Sequence, residues 1–154
     1  MIKSRFAIFT LVMLALALTA CGGGDGGGED VTKPVNDFFK AFGEMDAEKA
    51  AQAVCEQHRD NVKAGLDMIF GFMAMGGEDA KIEIVDLKLE AQDQTDDEAM
   101  VVATSGKIRI TVLGEVQEQA ISGDSAESTE AIKVIKEDGK WVVCDDSLVE
   151  GFGP

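Results

Sequence analysis

The sequence lacks tyrosine, has a single histidine and a single tryptophan, and carries 14 basic residues against 29 acidic ones. The excess of acid argues against nucleic-acid binding, because a formal net charge of −15 repels a phosphate backbone. His58, the one histidine, stands among charged and polar residues at a predicted helix start, which is typical of a solvated or capping side chain. Cys55 and His58, three positions apart, are too few ligands for a metal site. We therefore expect no catalytic constellation, no metal ion and no cofactor.

Long apolar runs are also scarce. The longest covers residues 6–20, follows Lys3 and Arg5, and ends in the sequence Leu18-Thr19-Ala20-Cys21. It is shorter than the roughly 20 residues that a membrane-spanning helix needs, and its order of basic, apolar and small residues is typical of a secretory signal. A retained membrane anchor or an ordinary signal peptide are the alternatives.

The end of this run resembles the lipobox of bacterial lipoproteins, in which cysteine directly follows a Leu-x-Ala cleavage site. The resemblance implies cleavage before Cys21 and attachment of lipid to Cys21. It also implies an extracytoplasmic location in the bacterial cell envelope, with the membrane as a partner through that lipid.

The composition divides the chain into three segments. Residues 1–20 form the predicted signal peptide, and residues 21–30 the lipidated cysteine with a glycine-rich tether that has no apolar residue to bury. Residues 31–154 are long enough for one hydrophobic core and are expected to form one domain.

Three cysteines become two once Cys21 carries lipid. Cys55 and Cys144 then lie in a compartment where disulfides persist, and we predict a bridge between them. It would close a loop of about 90 residues and stabilise the fold by roughly 4–5 kcal/mol. The alternatives are two buried thiols or a reactive thiol, for which His58 is the nearest base in sequence.

The first half of the domain reads as helical. Apolar residues recur at helical spacing over residues 31–42, with Thr32 as the N-cap and Pro34 in the first turn. Asp46 is expected to cap a short second helix. A third helix is predicted over residues 57–75.

After Gly77 the apolar period changes from 3.6 to 2, which indicates strands. Shifts in this alternation predict a β-bulge near Ile84-Val85 and a slip between Val134 and Ile135, and Asp138-Gly139 predicts a hairpin turn. The strands are predicted at residues 81–90, 99–112, 129–137 and 140–145, with a short extension at 115–121 and a tail at 148–154 that covers an edge or frays. In the second strand, the predicted apolar face consists of Met100, Val102, Ile108, Ile110 and Val112.

Three helices followed by a bulged antiparallel sheet form an α+β layout. This layout resembles the nuclear-transport-factor-2-like (cystatin-like) superfamily. The resemblance is carried by residues 35–42, by the Asp46-Ala47-x-x-Ala50 pattern before Cys55, and by the segment IKEDGKW at residues 135–141. Within that superfamily the chain is similar to small bacterial lipoproteins that carry a domain of unknown function. The resemblance covers about residues 31–146. It implies three N-terminal helices packed on a curved antiparallel sheet of about four strands.

The resemblance also implies a pocket between the long helix and the concave face of the sheet. Superfamily members use this pocket for isomerase, dehydratase or hydrolase chemistry, or to bind apolar molecules, and the fold does not choose among them. Tyrosine, an oxyanion donor in ketosteroid isomerase, is absent from this chain. The residues expected to line the pocket are Phe38, Phe42, Phe70, Met73 and Trp141.

The sequence thus favours a domain that binds a small apolar ligand or a partner protein of the envelope. Apolar residues near the end of the third helix are expected to be buried, to line the pocket, or to form an exposed patch for a partner. The alternatives are an enzyme with a carboxylate base such as Asp86 or Asp145, and a structural accessory protein of the envelope.

Overall fold

The computed structural model describes residues 27–77, 79–121 and 131–150, without the side chains of residues 27–30, 148 and 149. The predicted signal segment and the lipid-bearing cysteine lie outside the described residues. Within them, no helix is long and apolar enough to cross a membrane. In chain order the elements are α1 (Gly27–Gly43), α2 (Ala47–Gln52), α3 (Glu56–Ala74), β1 (Lys81–Gln92), β2 (Glu98–Val112), β3 (Glu115–Ala120), β4 (Ile132–Glu137), β5 (Lys140–Val143) and α4 (Asp146–Glu150).

The helices follow the predicted order, but the predicted start of α1 at Thr32 is wrong. The helix begins at Gly27, so Pro34 lies inside it and not in its first turn. Val31, three residues before Pro34, is fully buried. Its packing stabilises the helical turn that Pro34 would otherwise interrupt. Asp46 caps α2 as predicted, since its carboxylate accepts the Lys49 N–H at 3.0 Å. That hydrogen bond lowers the pKa of Asp46.

The sheet is antiparallel, with strand order β1-β2-β4-β5. The predicted extension forms β3, which pairs with the second half of β2, while β4 pairs with the first half. The register of β1 against β2 breaks between Val85 and Leu89, one or two residues beyond the predicted bulge. Asp86 takes a positive φ of 52° there, and Gly106 faces the bulge so closely that a Cβ would lie 3.1 Å from the Leu87 Cα. A bulge of this kind bends the strand that carries it.

The predicted apolar face of β2 is wrong in part. Val102 is buried as predicted, but in the first half of the strand Ala99 and Val101 enter the main core and Met100 is only half-buried. The alternation changes phase near Gly106, and in the second half Ile108, Ile110 and Val112 pack on the core as predicted.

The predicted slip in β4 is absent, because this strand keeps a regular register with β2. Val134 enters the main core, and Ile135 packs on the opposite face against a second cluster formed by Cys55, Val142 and Cys144. Both faces of β4 are therefore covered. This explains why the apolar pattern changes phase without a bulge.

The hairpin at Asp138-Gly139 is confirmed, with φ values of 50° and 78° that suit a tight two-residue turn. The first residues of the predicted tail belong to a short helix, α4, which begins at Asp146. Residues 151–154 lie outside the described part of the chain.

A disulfide joins Cys55, which precedes α3, to Cys144, which follows β5, with Cα atoms 5.2 Å apart. Two backbone hydrogen bonds lie beside it, from the Cys55 N–H to the Val143 carbonyl and from the Val143 N–H to the Ala53 carbonyl, both at 2.8 Å. The start of α3 is thus tied to the last strand.

Alkylation without reductant, in a Cys21→Ser background, should label neither remaining cysteine, as intact mass will show. Replacing both Cys55 and Cys144 with alanine should lower the free energy of unfolding by about 4 kcal/mol, because the unfolded chain regains the freedom of a long loop. Denaturant unfolding of the double variant against its parent measures this. Labelling of both thiols in the parent protein would refute the bridge.

Candidate functional site

The interior between the helices and the sheet is occupied by the protein's own side chains. Phe38, Phe70 and Met73 are buried in the main core. Phe42 is half-buried and its ring lies 5.6 Å from that of Phe70, centroid to centroid. Four of the five residues expected to line a pocket are therefore part of the core or packed against it. The fifth, Trp141, also packs against the core and borders a surface groove.

The two carboxylates considered as catalytic bases have other surroundings. Asp86 is exposed at the bulge of β1. Asp145 accepts hydrogen bonds from the Lys133 N–H at 2.8 Å and the Ser147 N–H at 2.9 Å. Burial raises the pKa of Asp145, but hydrogen bonds from Ser147 and Lys133 outweigh it and hold the pKa below its usual range. Asp145 is therefore engaged in joining β4 to the start of α4.

Cys55, His58 and Cys144 offer ligand atoms within 4.8 Å of one another, but the two sulfurs are bonded together. The His58 Nε2 lies 3.0 Å from an Asp146 carboxylate oxygen, and the Gln57 amide nitrogen lies 3.3 Å from the Cys144 Sγ. With the disulfide formed, this cluster has neither a free thiol nucleophile nor thiolate ligands for a metal.

A first candidate site is an exposed apolar surface on α3 and the β2–β3 hairpin. Its four large side chains are between 66% and 83% exposed. We call this set the apolar face, and it consists of Met68, Phe72, Met75 and Leu113.

The two parts of the apolar face lie at the same end of the molecule. A Cβ on Gly76, just after α3, would lie 2.8 Å from the Val112 Cγ1, so glycine allows the end of α3 to approach the end of β2. Leu113 follows directly in the turn to β3, with a φ of 54°. It borders a shallow groove of about 370 Å³ with Ile110, Val112, Glu115 and Gln117.

A second candidate site is a groove of about 470 Å³ between α1, the end of α2 and the β4–β5 hairpin. We call it the Trp141 groove. Its lining includes Lys33, Pro34, Gln52, Lys136, Lys140 and Trp141. A neighbouring groove of about 450 Å³ shares Asp37, Gln52 and Ala53 with it and adds Lys40, Glu44 and Lys49.

Three solved structures illustrate what this architecture is similar to. A protein of unknown function from Mycobacterium tuberculosis is 11% identical, with 92% of this chain and 73% of that chain covered and a TM-score of 0.50. A provisionally assigned scytalone dehydratase from Novosphingobium aromaticivorans is 15% identical, with coverages of 75% and 77% and a TM-score of 0.52. An NTF-2 like protein of unknown function from Shewanella oneidensis MR-1 is 15% identical, with coverages of 75% and 92% and a TM-score of 0.42.

The fold is nuclear-transport-factor-2-like. Helices packed against a curved antiparallel sheet confirm the predicted fold class. No protein-family model and no curated protein sequence matches the chain. At such low identities the likeness shows the NTF2-like fold alone, and that fold serves both enzymes and binding proteins.

Sequence reasoning found the residues of the NTF2-like core but missed the lysines of the Trp141 groove. Lys33, Lys136 and Lys140 come from two segments about a hundred residues apart in the chain. Without a pairing between α1 and the hairpin, no spacing rule brings them together.

Replacing Phe70 with alanine should lower the free energy of unfolding by about 3–5 kcal/mol, because it leaves a cavity in a filled interior. Phe72→Ala, two residues further along the same helix, should change it by less than about 0.5 kcal/mol because that ring is exposed. Denaturant unfolding compares the two variants. Equal losses would contradict the assignment of Phe70 to the core and Phe72 to the surface.

Asp145→Asn should destabilise the fold by about 1 kcal/mol at neutral pH, because an amide has only one oxygen to accept the hydrogen bonds. The folded-state pKa of Asp145 is depressed, so the stability from its ionised form is present above the unfolded-state pKa and is lost as the pH falls through the folded-state pKa. The difference between variant and parent should therefore shrink at about pH 3. Asp96→Asn, at an exposed position, is the control and should leave the free energy of unfolding at neutral pH unchanged.

Proposed function

We propose that this chain is a lipid-anchored extracytoplasmic protein that binds a partner protein through the apolar face. The observation that carries the proposal is the contrast between an interior filled by Phe38, Phe70 and Met73 and an exterior that displays Met68, Phe72 and Met75. A filled interior favours an interaction surface over an internal pocket for a small apolar ligand.

The helix α3 is apolar on two sides, which is unusual for a surface helix. Val62, Leu66 and Phe70 form its buried side. Its exposed side carries Met68 and Phe72 next to the exposed Gly71, and the exposed Met75 follows at the end of the helix. A Cβ placed on Gly71 would meet no other atom within 4 Å, so a partner backbone can approach α3 closely there.

Charge favours a protein over a membrane as the occupant of this face. Asp60 and Asp67 are exposed on α3, and Lys63, the helix's lysine, is paired with Asp67 at 2.8 Å. A face without free cations, on a chain with a formal net charge of −15, is repelled by anionic lipids. A protein surface with an apolar helix or strand meets no such repulsion.

Lipid on Cys21 and the glycine-rich tether would hold this face within the envelope, where such a partner is met. The Leu18-Thr19-Ala20-Cys21 motif supports the anchor, and the Cys55–Cys144 disulfide is compatible with an oxidising compartment.

A photocrosslinking residue at Met68 in whole cells should give a discrete protein adduct in the membrane fraction. Phe72→Glu should abolish that adduct, because it places a charge in the centre of the contact, whereas Asn61→Glu, at an exposed polar position of the same helix, should not. A crosslinker at the exposed Glu90 of β1 is the positional control.

An adduct that consists only of two copies of this chain, or adducts only to lipid, would contradict the proposed partner. The anchor is tested separately in the same cells. Cys21→Ser should abolish the lipid adduct seen by intact mass, and an unmodified Cys21 in the parent protein would refute lipidation while leaving the crosslinking result intact.

A further inference from the structure

We propose that the Trp141 groove is a binding site for a small organic anion, with a phosphate or carboxylate held by lysines and an apolar part held against the indole ring. The proposal does not depend on the apolar face or on the lipid anchor, which lie elsewhere in the chain.

The first argument is the distribution of lysines without carboxylate partners. Most basic side chains in the described part of the chain are paired, as in Lys63–Asp67, Arg109–Glu118 and Lys133–Glu98. Four basic residues within residues 27–77, 79–121 and 131–150 form no ion pair. They are Lys40, Lys88, Lys136 and Lys140.

Three of these four lysines border the Trp141 groove or the groove that adjoins it. Acidic residues outnumber basic ones by 29 to 14, so random placement would leave few lysines without a carboxylate neighbour. In the Trp141 groove itself, Lys136 and Lys140 have no carboxylate partner, and the one lining carboxylate, Asp37, is paired with Lys33, so the groove favours small anions.

The second argument is the geometry around Trp141. Lys136 and Trp141 are directly paired across the β4–β5 hairpin, and the Lys136 Nζ lies 5.7 Å from the centroid of the indole ring. This cation–π contact holds an ammonium group at the ring face. An anion bound there reaches the ammonium group while its apolar part lies on the half-buried ring.

The remaining lining suits the same ligand. Pro34 adds an apolar surface from α1, and Gln52 adds an amide that donates or accepts hydrogen bonds. Lys33 also borders the groove and is paired with Asp37 one helical turn away, so it contributes less charge than Lys136 or Lys140. A volume of about 470 Å³ lies within the range of small-molecule sites.

Two sources could supply such an anion, namely a soluble organic phosphate or carboxylate and the head group of an anionic phospholipid. Both present the same chemistry to the groove. The experiment therefore includes an arm for each.

The test uses the full chain in a non-ionic detergent, and Trp141, the single tryptophan, reports binding by its fluorescence. Phenyl phosphate, which combines an anion with an aromatic ring, should give a saturable change. Phenol lacks the charge and inorganic phosphate lacks the ring, so each should bind at least about tenfold more weakly. Equal responses to phenol and phenyl phosphate would overturn the proposal.

Substitutions test the role of the lysines. Lys140→Gln and Lys136→Gln should each weaken phenyl phosphate binding by about tenfold, since each removes a charged donor. Lys88→Gln removes the same charge from β1, at the opposite edge of the sheet, and should leave binding unchanged. Because Lys136 touches the fluorophore, its variant is measured by calorimetry. Equal effects of all three substitutions would show a general charge effect and contradict a site.

Vesicles distinguish the two sources. If phosphatidylcholine vesicles containing phosphatidylglycerol change the Trp141 emission and pure phosphatidylcholine vesicles do not, the anion is a lipid head group. If phenyl phosphate binds and neither vesicle has an effect, the anion is soluble. If neither phenyl phosphate nor the anionic vesicles bind, the proposal is wrong.

Discussion

The attachment of the helical layer to β5 is the constraint on which the other features of the fold depend. The Cys55–Cys144 disulfide and the two backbone hydrogen bonds of Val143 hold the start of α3 against the last strand. The opposite end of α3 is positioned by the close approach of Gly76 to Val112 at the end of β2. A helix held at both ends cannot rotate about its axis, so its second apolar side remains turned outward. The apolar face is therefore a consequence of how α3 is attached, and the same attachment places the β4–β5 hairpin beside α1, where the Trp141 groove forms.

The parts of the fold that sequence predicts well are those decided by neighbouring residues. Asp46 caps α2 through a hydrogen bond to a residue three positions away, and Asp138-Gly139 adopts the positive φ values that its turn requires. The predicted start of α1 and the predicted inward position of Met100 in β2 are wrong because distant contacts decide them. Burial of Val31 carries α1 back beyond Pro34, and the bulge of β1 changes the phase of β2 opposite Gly106.

The candidate sites, too, are predicted from the sequence only where neighbouring residues decide them. Helical spacing identifies Phe38, Phe70 and Met73 as inward-facing, but spacing cannot tell a filled interior from an open pocket, because that depends on how closely two layers approach. The two apolar sides of α3 are visible in the sequence, and only the packing shows which of them is covered. The lysines of the Trp141 groove give no signal at all, since each is an ordinary surface residue until the hairpin and α1 are placed side by side.

The bulge of β1 has a further effect on the outer edge of the sheet. Within the part of the chain that the structure describes, β1 pairs only with β2, so its other side presents backbone N–H and C=O groups to whatever approaches. Such an edge is a template on which another extended chain can add a strand. The bulge at Asp86 interrupts the regular spacing of those groups midway along the strand, and Lys88 and Glu90 place exposed charges beyond it. The irregularity in β1 thus also protects the protein from pairing with other extended chains along this edge.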